Sequence, residues 1–303
     1  MRVRRGRKRA VVTIGMFDGV HVGHQQLIRT TVRWAKRLGA DSVVMTFDPD
    51  PQVVLDPHHA QPRLMSLQAR RRLIETLGVD RVWVMPFTRA FSRISAEQFV
   101  RTLLVERLRV CGVVVGPNFT FGWRRRGTLG LLRRLGGRYG FRVIVVAPVI
   151  RDGRPVSSSR IRRLIERGQV TQARRLLGRP VQLHGTVIHG DRRARHLGFP
   201  TANVRLADAL WPARGVYRVQ LEWRGRRVDG LMNLGLRPTF ASSNPSGAPL
   251  VCEVHLAGFR AMLYSRAVTL HVLDWIRRER RFRSGRALAR QIHRDLAKTH
   301  LLK

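Results

Sequence analysis

The hydrophobic pattern of this chain has two textures, and it changes from one to the other near Pro180. Before that point, short apolar runs alternate with segments of helical spacing. VVTIGMF, SVVMTF, RVWVMPF, RVCGVVVG and FRVIVVAPV read as strands. Between the first two, Leu27, Ile28, Val32, Trp34, Ala35 and Leu38 recur at helical intervals. SLQARRRLIETLG starts from a Ser66 cap and SAEQFVRTLLVERL from a Ser95 cap, so both are expected to be helices. Apolar strands separated by helices predict a parallel sheet covered by helices on both faces. After Pro180, VQLHGTVIHG, GVYRVQLEW, RRVDGLMNLG, LVCEVHL and AVTLHVLDWI follow one another with only turn residues between them. That texture predicts an antiparallel barrel or sandwich. The end, SGRALARQIHRDLAKTH, returns to helical spacing. The expected domains are residues 1–180 and 181–303, with Ser242–Pro249 a loop by composition.

Length and composition allow this division. The chain has 303 residues, 44% of them hydrophobic, enough for two cores. No apolar run approaches the roughly 18 residues that span a bilayer. The basic start meets Asp18 and His21 before a signal-peptide apolar region can form, so residues 1–9 read as a frayed tail and a cytoplasmic location is expected. Cys111 and Cys252 each sit in a strand-like run, which suits buried reduced thiols better than a disulfide or a cysteine metal site. The net charge is +39, from 58 Lys+Arg against 19 Asp+Glu, and only Lys8, Lys36, Lys298 and Lys303 are lysine. Such a chain attracts polyanions nonspecifically through counterion release. The arginines are spread along the whole sequence, as a general compositional bias would leave them. A dedicated nucleic-acid protein would instead gather them on one face.

The first chemistry-bearing segment runs Gly15-Met16-Phe17-Asp18-Gly19-Val20-His21-Val22-Gly23-His24. A strand ends in glycine-rich backbone and a helix begins at the histidines. A helix N-terminus offers unbonded N–H groups and a positive dipole end, both suited to phosphate. His21 and His24, three apart, share one face of the first turn. Gly23 permits close approach of a nucleotide. Two imidazoles placed so can stabilise charge building on a departing pyrophosphate.

GMFDGVHVGHQQLI, followed in order by TFDPDP, VGPNFTFGWRRRGT and VSSSRIRRLIERGQVTQARRLLGRP, resembles the nucleotidyltransferase half of prokaryotic bifunctional riboflavin kinase/FMN adenylyltransferases. The resemblance implies a Rossmann-like nucleotidyltransferase domain with ATP contacts at Gly15, Phe17, Asp18, Gly23, Asn118, Ser158, Ser159, Arg160 and Arg162. Two departures stand out. Asp50 replaces a histidine of the family's FxPHP segment, placing a carboxylate near the phosphates; that raises the alternative of a kinase with impaired adenylyl transfer. Ser159 replaces a threonine and keeps the hydroxyl.

Past Pro180, Gly185-Thr186-Val187-Ile188-His189-Gly190-Asp191, LGFPTAN (197–203), Asn233-Leu234-Gly235 and Cys252-Glu253-Val254-His255 resemble the riboflavin kinase half of the same family. The resemblance implies a β-barrel kinase domain. Gly185 and Gly190 belong to its nucleotide flap, and Thr201 and Asn203 offer hard oxygens to Mg²⁺ and ATP phosphates. Glu253 is the implied general base toward the riboflavin 5′-hydroxyl, and Arg277 and Glu279 border the flavin. His255 shares the face of Glu253 and reads as structural. Ala194, Ser265 and Arg283 depart from the family pattern without removing a reactive group. The implied chemistry is phosphorylation of riboflavin to FMN, then adenylylation of FMN to FAD with release of pyrophosphate. A basic nucleic-acid-binding protein reusing this fold is the alternative from another class.

Overall fold

A computed structural model describes residues 8–189, 201–207, 210–236, 250–259, 262–280 and 282–299. The chain divides into two compact units, Met1–Ser158 and Ser159–Lys303. By contact density, residues 159–180, placed with the first domain by the sequence reading, pack with the second unit.

The first unit is built on a five-stranded sheet of order β3-β2-β1-β4-β5. The strands are β1 (Ala10–Ile14), β2 (Asp41–Asp48), β3 (Arg81–Pro86), β4 (Val110–Val115) and β5 (Arg142–Val145). Every pairing is parallel, as the near-continuous apolar runs require. The helices are α1 (Val22–Arg37), α2 (Pro51–Leu55), α3 (Leu67–Glu75), α4 (Arg89–Ser92), α5 (Ala96–Gln98) and α6 (Leu129–Tyr139). Alternate residues of the central strands serve opposite faces. Val12, Val43, Met45, Val113 and Val115 meet Phe99, Leu104, Leu132 and Leu135 on one side. On the other, Val44 packs with Ile28 and Ile74, and Val11 and Val114 with Ala35.

The caps read from sequence are present: Ala69 N–H donates to Ser66 Oγ at 3.2 Å and Gln98 N–H to Ser95 Oγ at 3.0 Å. The Ser95 helix differs from its expected form. After α5 it widens into a π-helix over Phe99–Arg107, and Leu108 N–H donates to Leu103 O. Five-residue spacing stacks Phe99 above Leu104, and both are buried. A short ribbon, β6 (Ile150–Arg151) with β7 (Arg154–Pro155), follows β5.

The second unit opens with α7, which begins at Ser158 and runs to Glu166, and α8 (Val170–Leu177). Strands β8 (Val181–Ile188), β9 (Thr201–Leu206), β10 (Gly215–Trp223), β11 (Arg226–Leu236), β12 (Leu250–Leu256) and β13 (Ala267–Arg278) close a barrel of order β10-β11-β12-β9-β8-β13. Its interior holds Leu183, Val204, Val219, Leu221, Met232, Leu234, Val254 and Leu270, all almost fully buried. The final helix, α9 (Gly285–Lys298), lays Ala289, Ile292 and Leu296 over Leu231 and Ile276 on the barrel's outer face. A barrel with no open edge is the form the family resemblance implied, where the strand pattern alone left barrel and sandwich open.

Candidate functional site

In the first unit the chain leaves β1 toward β2 and β3 on one side, then crosses to β4 and β5 on the other. Ligands of open α/β sheets bind outside the carboxyl ends of the strands at such a switch point. The segments found there are Gly15–His24 after β1, Asp48–Pro51 after β2 and Gly116–Thr128 after β4.

His21 caps α1: its Nδ1 accepts the His24 N–H at 3.3 Å, so the neutral ring carries its proton on Nε2. The two imidazoles stack with centroids 3.6 Å apart. His24 Nδ1 is buried with no hydrogen-bond partner. Burial first, then the neighbouring His21 and Arg70, hold the His24 pKa well below the usual imidazole range, so the ring is neutral. Gly23 leaves room for the pair, since a Cβ there would stand 3.2 Å from the His21 ring. Asn118 lies exposed in the loop after β4, and Ser158 Oγ donates to Asp18 O at 2.9 Å.

Two of the expected ATP contacts also hold the scaffold together. Phe17 is 1% exposed, packs with Val20 and Ile28, and meets the His24 ring edge-on at 5.3 Å. Its side chain is committed to the core, at a positive φ of 52° that turns the chain sharply after Gly15. Asp18, 4% exposed, spends its carboxylate on the Leu64 N–H, at 3.0 and 3.1 Å. Asp50 also acts locally, since its Oδ1 accepts the Gln52 N–H at 2.8 Å and caps α2.

Arg70 was missed in the sequence. It interrupts the apolar stripe that Leu67 and Ile74 make on α3 and Leu77 continues just beyond it, which is the signal that could have found it. It is 2% exposed. One guanidinium nitrogen donates to Met16 O at 2.7 Å, and the other to Phe47 O at 3.1 Å. Its Nε is buried without a partner. Burial lowers its pKa, and the carboxylates of Asp18, Asp48 and Asp50 oppose that effect. Equally unforeseen is a file of phenylalanines. Phe47, Phe87 and Phe91 contact one another at 5.6–5.9 Å between centroids. From Phe91 the file continues through Phe99 to Phe121. Phe47, Phe87 and Phe91 remain half-exposed.

In the second unit, strand register brings several of the candidate residues side by side. Glu253 lies opposite Asn203 of β9 and, on its other side, Asn233 of β11. His255 lies opposite Thr201 and Leu231. Cys252, Val254 and Leu256 point into the barrel, so Glu253 and His255 face outward, as do Thr201 and Asn203 beside them. Burial first, then the Glu253 charge, push the Cys252 thiol up to about 12. A shallow cleft opens beside Asn203, lined also by Ile188, Trp211 and Val251.

The remaining candidates are dispersed. Gly185 serves strand pairing: a Cβ there would meet Arg205 O at 2.6 Å. Arg277 continues the Glu253–Asn233 row through Val216, but its guanidinium is tied to Asp295 of α9 at 2.8–2.9 Å, and Gln291 donates to the same carboxylate at 2.9 Å. Glu279 sits against the Cα of Gly235, in space a side chain would fill. Ser159, Arg160 and Arg162 lie on α7. Gly190, Asp191, Ala194, residues 197–200 and the Ser242–Pro249 loop fall outside the described residues. Among the described residues no helix is long and apolar enough to cross a membrane, and no group of three or more His, Cys, Asp or Glu is arranged to hold a metal.

Exposed arginines occur on α3, α4, α6, α8, the loop after β4 and the β10–β11 turn, not on one element. Several lie over tryptophan rings: Arg37 on Trp34, Arg107 on Trp83, Arg124 and Arg126 on Trp123, and Arg224 on Trp223, at 4.7–5.7 Å. In these places the excess cation covers aromatic surface of its own chain.

Comparison with known proteins agrees with both halves. Residues 4–160 match the FAD synthetase family and residues 177–302 the riboflavin kinase family. The bifunctional riboflavin kinase/FMN adenylyltransferase of Pseudomonas fluorescens is 38% identical over 96% of this chain and 92% of its own length. Those of Escherichia coli K12 and Bacillus subtilis are 37% and 36% identical, over 94% and 95% of this chain and 90% of theirs. A crystal structure described as a macrolide-efflux protein from Streptococcus pneumoniae superposes with a TM-score of 0.88 at 31% identity, covering 98% of this chain and 95% of the other. With near full-length coverage by relatives above 30% identity and a family match in each half, the chain belongs to the bifunctional riboflavin kinase/FMN adenylyltransferase family.

Proposed function

We propose that the two activities of the family are carried by the two residue sets just described. For phosphorylation, the supporting observation is the register that sets Glu253 directly opposite Asn203, two residues along the same face from Thr201. Glu253 takes the proton of the riboflavin 5′-hydroxyl as that oxygen attacks the γ-phosphorus of ATP. The bond from γ-phosphorus to the β-bridging oxygen breaks and ADP leaves. Thr201 and Asn203 would hold Mg²⁺ on the ATP phosphates: a hydroxyl and an amide oxygen on one face fit a hard cation that keeps waters and phosphate oxygens in its shell. Bound there, the ion would neutralise phosphate charge.

For adenylyl transfer, the supporting observation is the stacked His21–His24 pair at the start of α1. An FMN phosphate oxygen attacks the α-phosphorus of ATP, the α–β bridging bond breaks, and pyrophosphate departs against the imidazoles and helix N-terminus. The half-exposed rings of Phe47, Phe87 and Phe91 offer an apolar wall for the planar flavin, with Asn118 across the switch point. Ser158, Ser159, Arg160 and Arg162 are assigned to ATP phosphate by resemblance to the family. Cys111 and Cys252, both buried free thiols, fit a reducing, cytoplasmic setting.

The test supplies riboflavin or FMN with ATP and Mg²⁺ and resolves FMN from FAD by chromatography. His24→Ala is expected to slow FAD formation from FMN by about tenfold or more and to leave riboflavin phosphorylation intact. Wild-type FAD formation by this variant would remove the histidines from the mechanism.

A further inference from the structure

We propose that Arg70 is a positioning residue for adenylyl transfer: its buried guanidinium is the crossbar that fixes the loop leaving β1 against the carboxyl end of β2, and with it the histidine pair. The inference rests on assigning adenylyl transfer to the His21–His24 site. Arg70 reaches Met16 O and Phe47 O with separate nitrogens, 2.7 and 3.1 Å away. Thr46 Oγ1 donates to the same Met16 carbonyl at 3.1 Å. Met16 precedes the sharp turn at Phe17 and Val20, both at positive φ, from which α1 and both histidines emerge. Phe47 precedes Asp48 and Asp50. A displacement of either carbonyl therefore moves the groups that would meet the nucleotide, and positioning errors of about 1 Å cost around a hundredfold in rate.

The side chain has the marks of a part kept for its chemistry. It is 2% exposed on a helix face that is otherwise apolar, and its Nε remains without a partner. A buried cation with an unsatisfied donor is costly in a position that leucine could fill. What compensates it is a set of carboxylates, Asp18, Asp48 and Asp50, of which Asp48 is also paired with Arg63 at 2.9 Å. Of the three carboxylates, Asp50 has the smallest effect on Arg70.

The charged and titratable groups acting on His24 are His21 from its own helix and Arg70 from α3, both of which disfavour imidazolium. Removing the guanidinium therefore lets His24 take up a proton at higher pH. A side chain that merely filled space would leave that titration where it is.

The experiment uses the full chain. Arg70→Met retains the apolar stem without charge or donors; Arg70→Lys retains the cation but brings one nitrogen where the guanidinium brings two. FAD formation from FMN is measured for kcat and KM(ATP) across roughly pH 4.5 to 9, a window that reaches below the usual imidazole range where the His24 limb lies. Riboflavin phosphorylation by the same sample checks the other unit. Arg70→Met is expected to lose about tenfold or more in kcat for adenylyl transfer and to move the histidine limb to higher pH. Arg70→Lys keeps the cation but has one nitrogen where the guanidinium uses two, so its limb is expected to stay in place and its kcat to fall between those of Arg70→Met and wild type. A methionine variant as active as the lysine variant, or one impaired only in step with its thermal midpoint and with an unmoved limb, overturns the proposal. Should the methionine variant not fold, Arg70→Lys decides. A limb in place with kcat lowered and kinase activity intact supports the crossbar, whereas a wild-type kcat or a limb moved to higher pH refutes it. Normal FAD formation by His24→Ala would instead refute the site assignment itself.

Discussion

At the scale of single residues, the proposed assignment puts the two activities on groups whose loss should be separable. Glu253→Gln keeps size and removes the base, so FMN formation is expected to fall by about a hundredfold, while FAD formation from supplied FMN stays unchanged. Product analysis from riboflavin and from FMN checks both halves of that expectation. Asp50 needs a different substitution. Because its carboxylate caps α2 through the Gln52 N–H, exchange for histidine would mix loss of a cap with loss of a charge. Asp50→Asn retains a good cap and isolates the charge. The apparent ATP requirement is expected to drop slightly, and the difference to shrink as salt rises. The histidines, Glu253 and Asn203 were legible in the sequence because they occupy motifs with fixed spacing. Arg70 and Phe91 were not, because their meaning lies in partners that are remote along the chain: Met16 and Phe47 are 54 and 23 residues from Arg70.

At the scale of elements, strands and caps followed from local pattern, whereas helix widening and barrel closure did not. The π-helical stretch depends on how Phe99 and Leu104 meet the sheet, which no three-to-four-residue periodicity reveals. Closure of the barrel depends on β8 pairing with both β9 and β13. Arg277 shows the same limit: sequence resemblance put it beside the flavin, and the fold fastens it to Asp295, which is 1% exposed. Arg277→Ala leaves that buried carboxylate without its cation and is expected to cost about 3–5 kcal/mol, read as a lower denaturant midpoint for the barrel unit. A second lock joins β2 to the turn before β3. Asp80 Oδ2 accepts from Ser42 Oγ at 2.6 Å and Ser42 N–H at 2.8 Å, and these bonds hold its pKa below the usual carboxylate value. A depressed carboxylate contributes stability above its unfolded pKa of about 3.9 and loses it as pH falls through the lower folded value. The stability deficit of Asp80→Asn relative to wild type should therefore narrow as unfolding is measured at progressively lower pH below about 4.

At the scale of the whole molecule, the proposed assignment of the two activities to different residues predicts that the intermediate can pass through solution. An equimolar mixture of Glu253→Gln and His24→Ala chains is expected to convert riboflavin to FAD, one chain making FMN and the other consuming it. Failure of the mixture, with each single activity verified, would show that FMN must be handed over within one chain. The charge of +39 predicts polyanion binding that falls steeply with salt, a slope that titration of a heparin-like polymer would measure. The arginines lying over Trp34, Trp83, Trp123 and Trp223 separate two properties usually taken together. Guanidinium is flat and weakly hydrated, so it can rest on an indole face; ammonium is compact and keeps its water. Recoding those arginines as lysine would leave the net charge untouched and uncover the rings. Colloidal behaviour would then worsen at constant charge, because here the cation acts as a lid before it acts as a repellent.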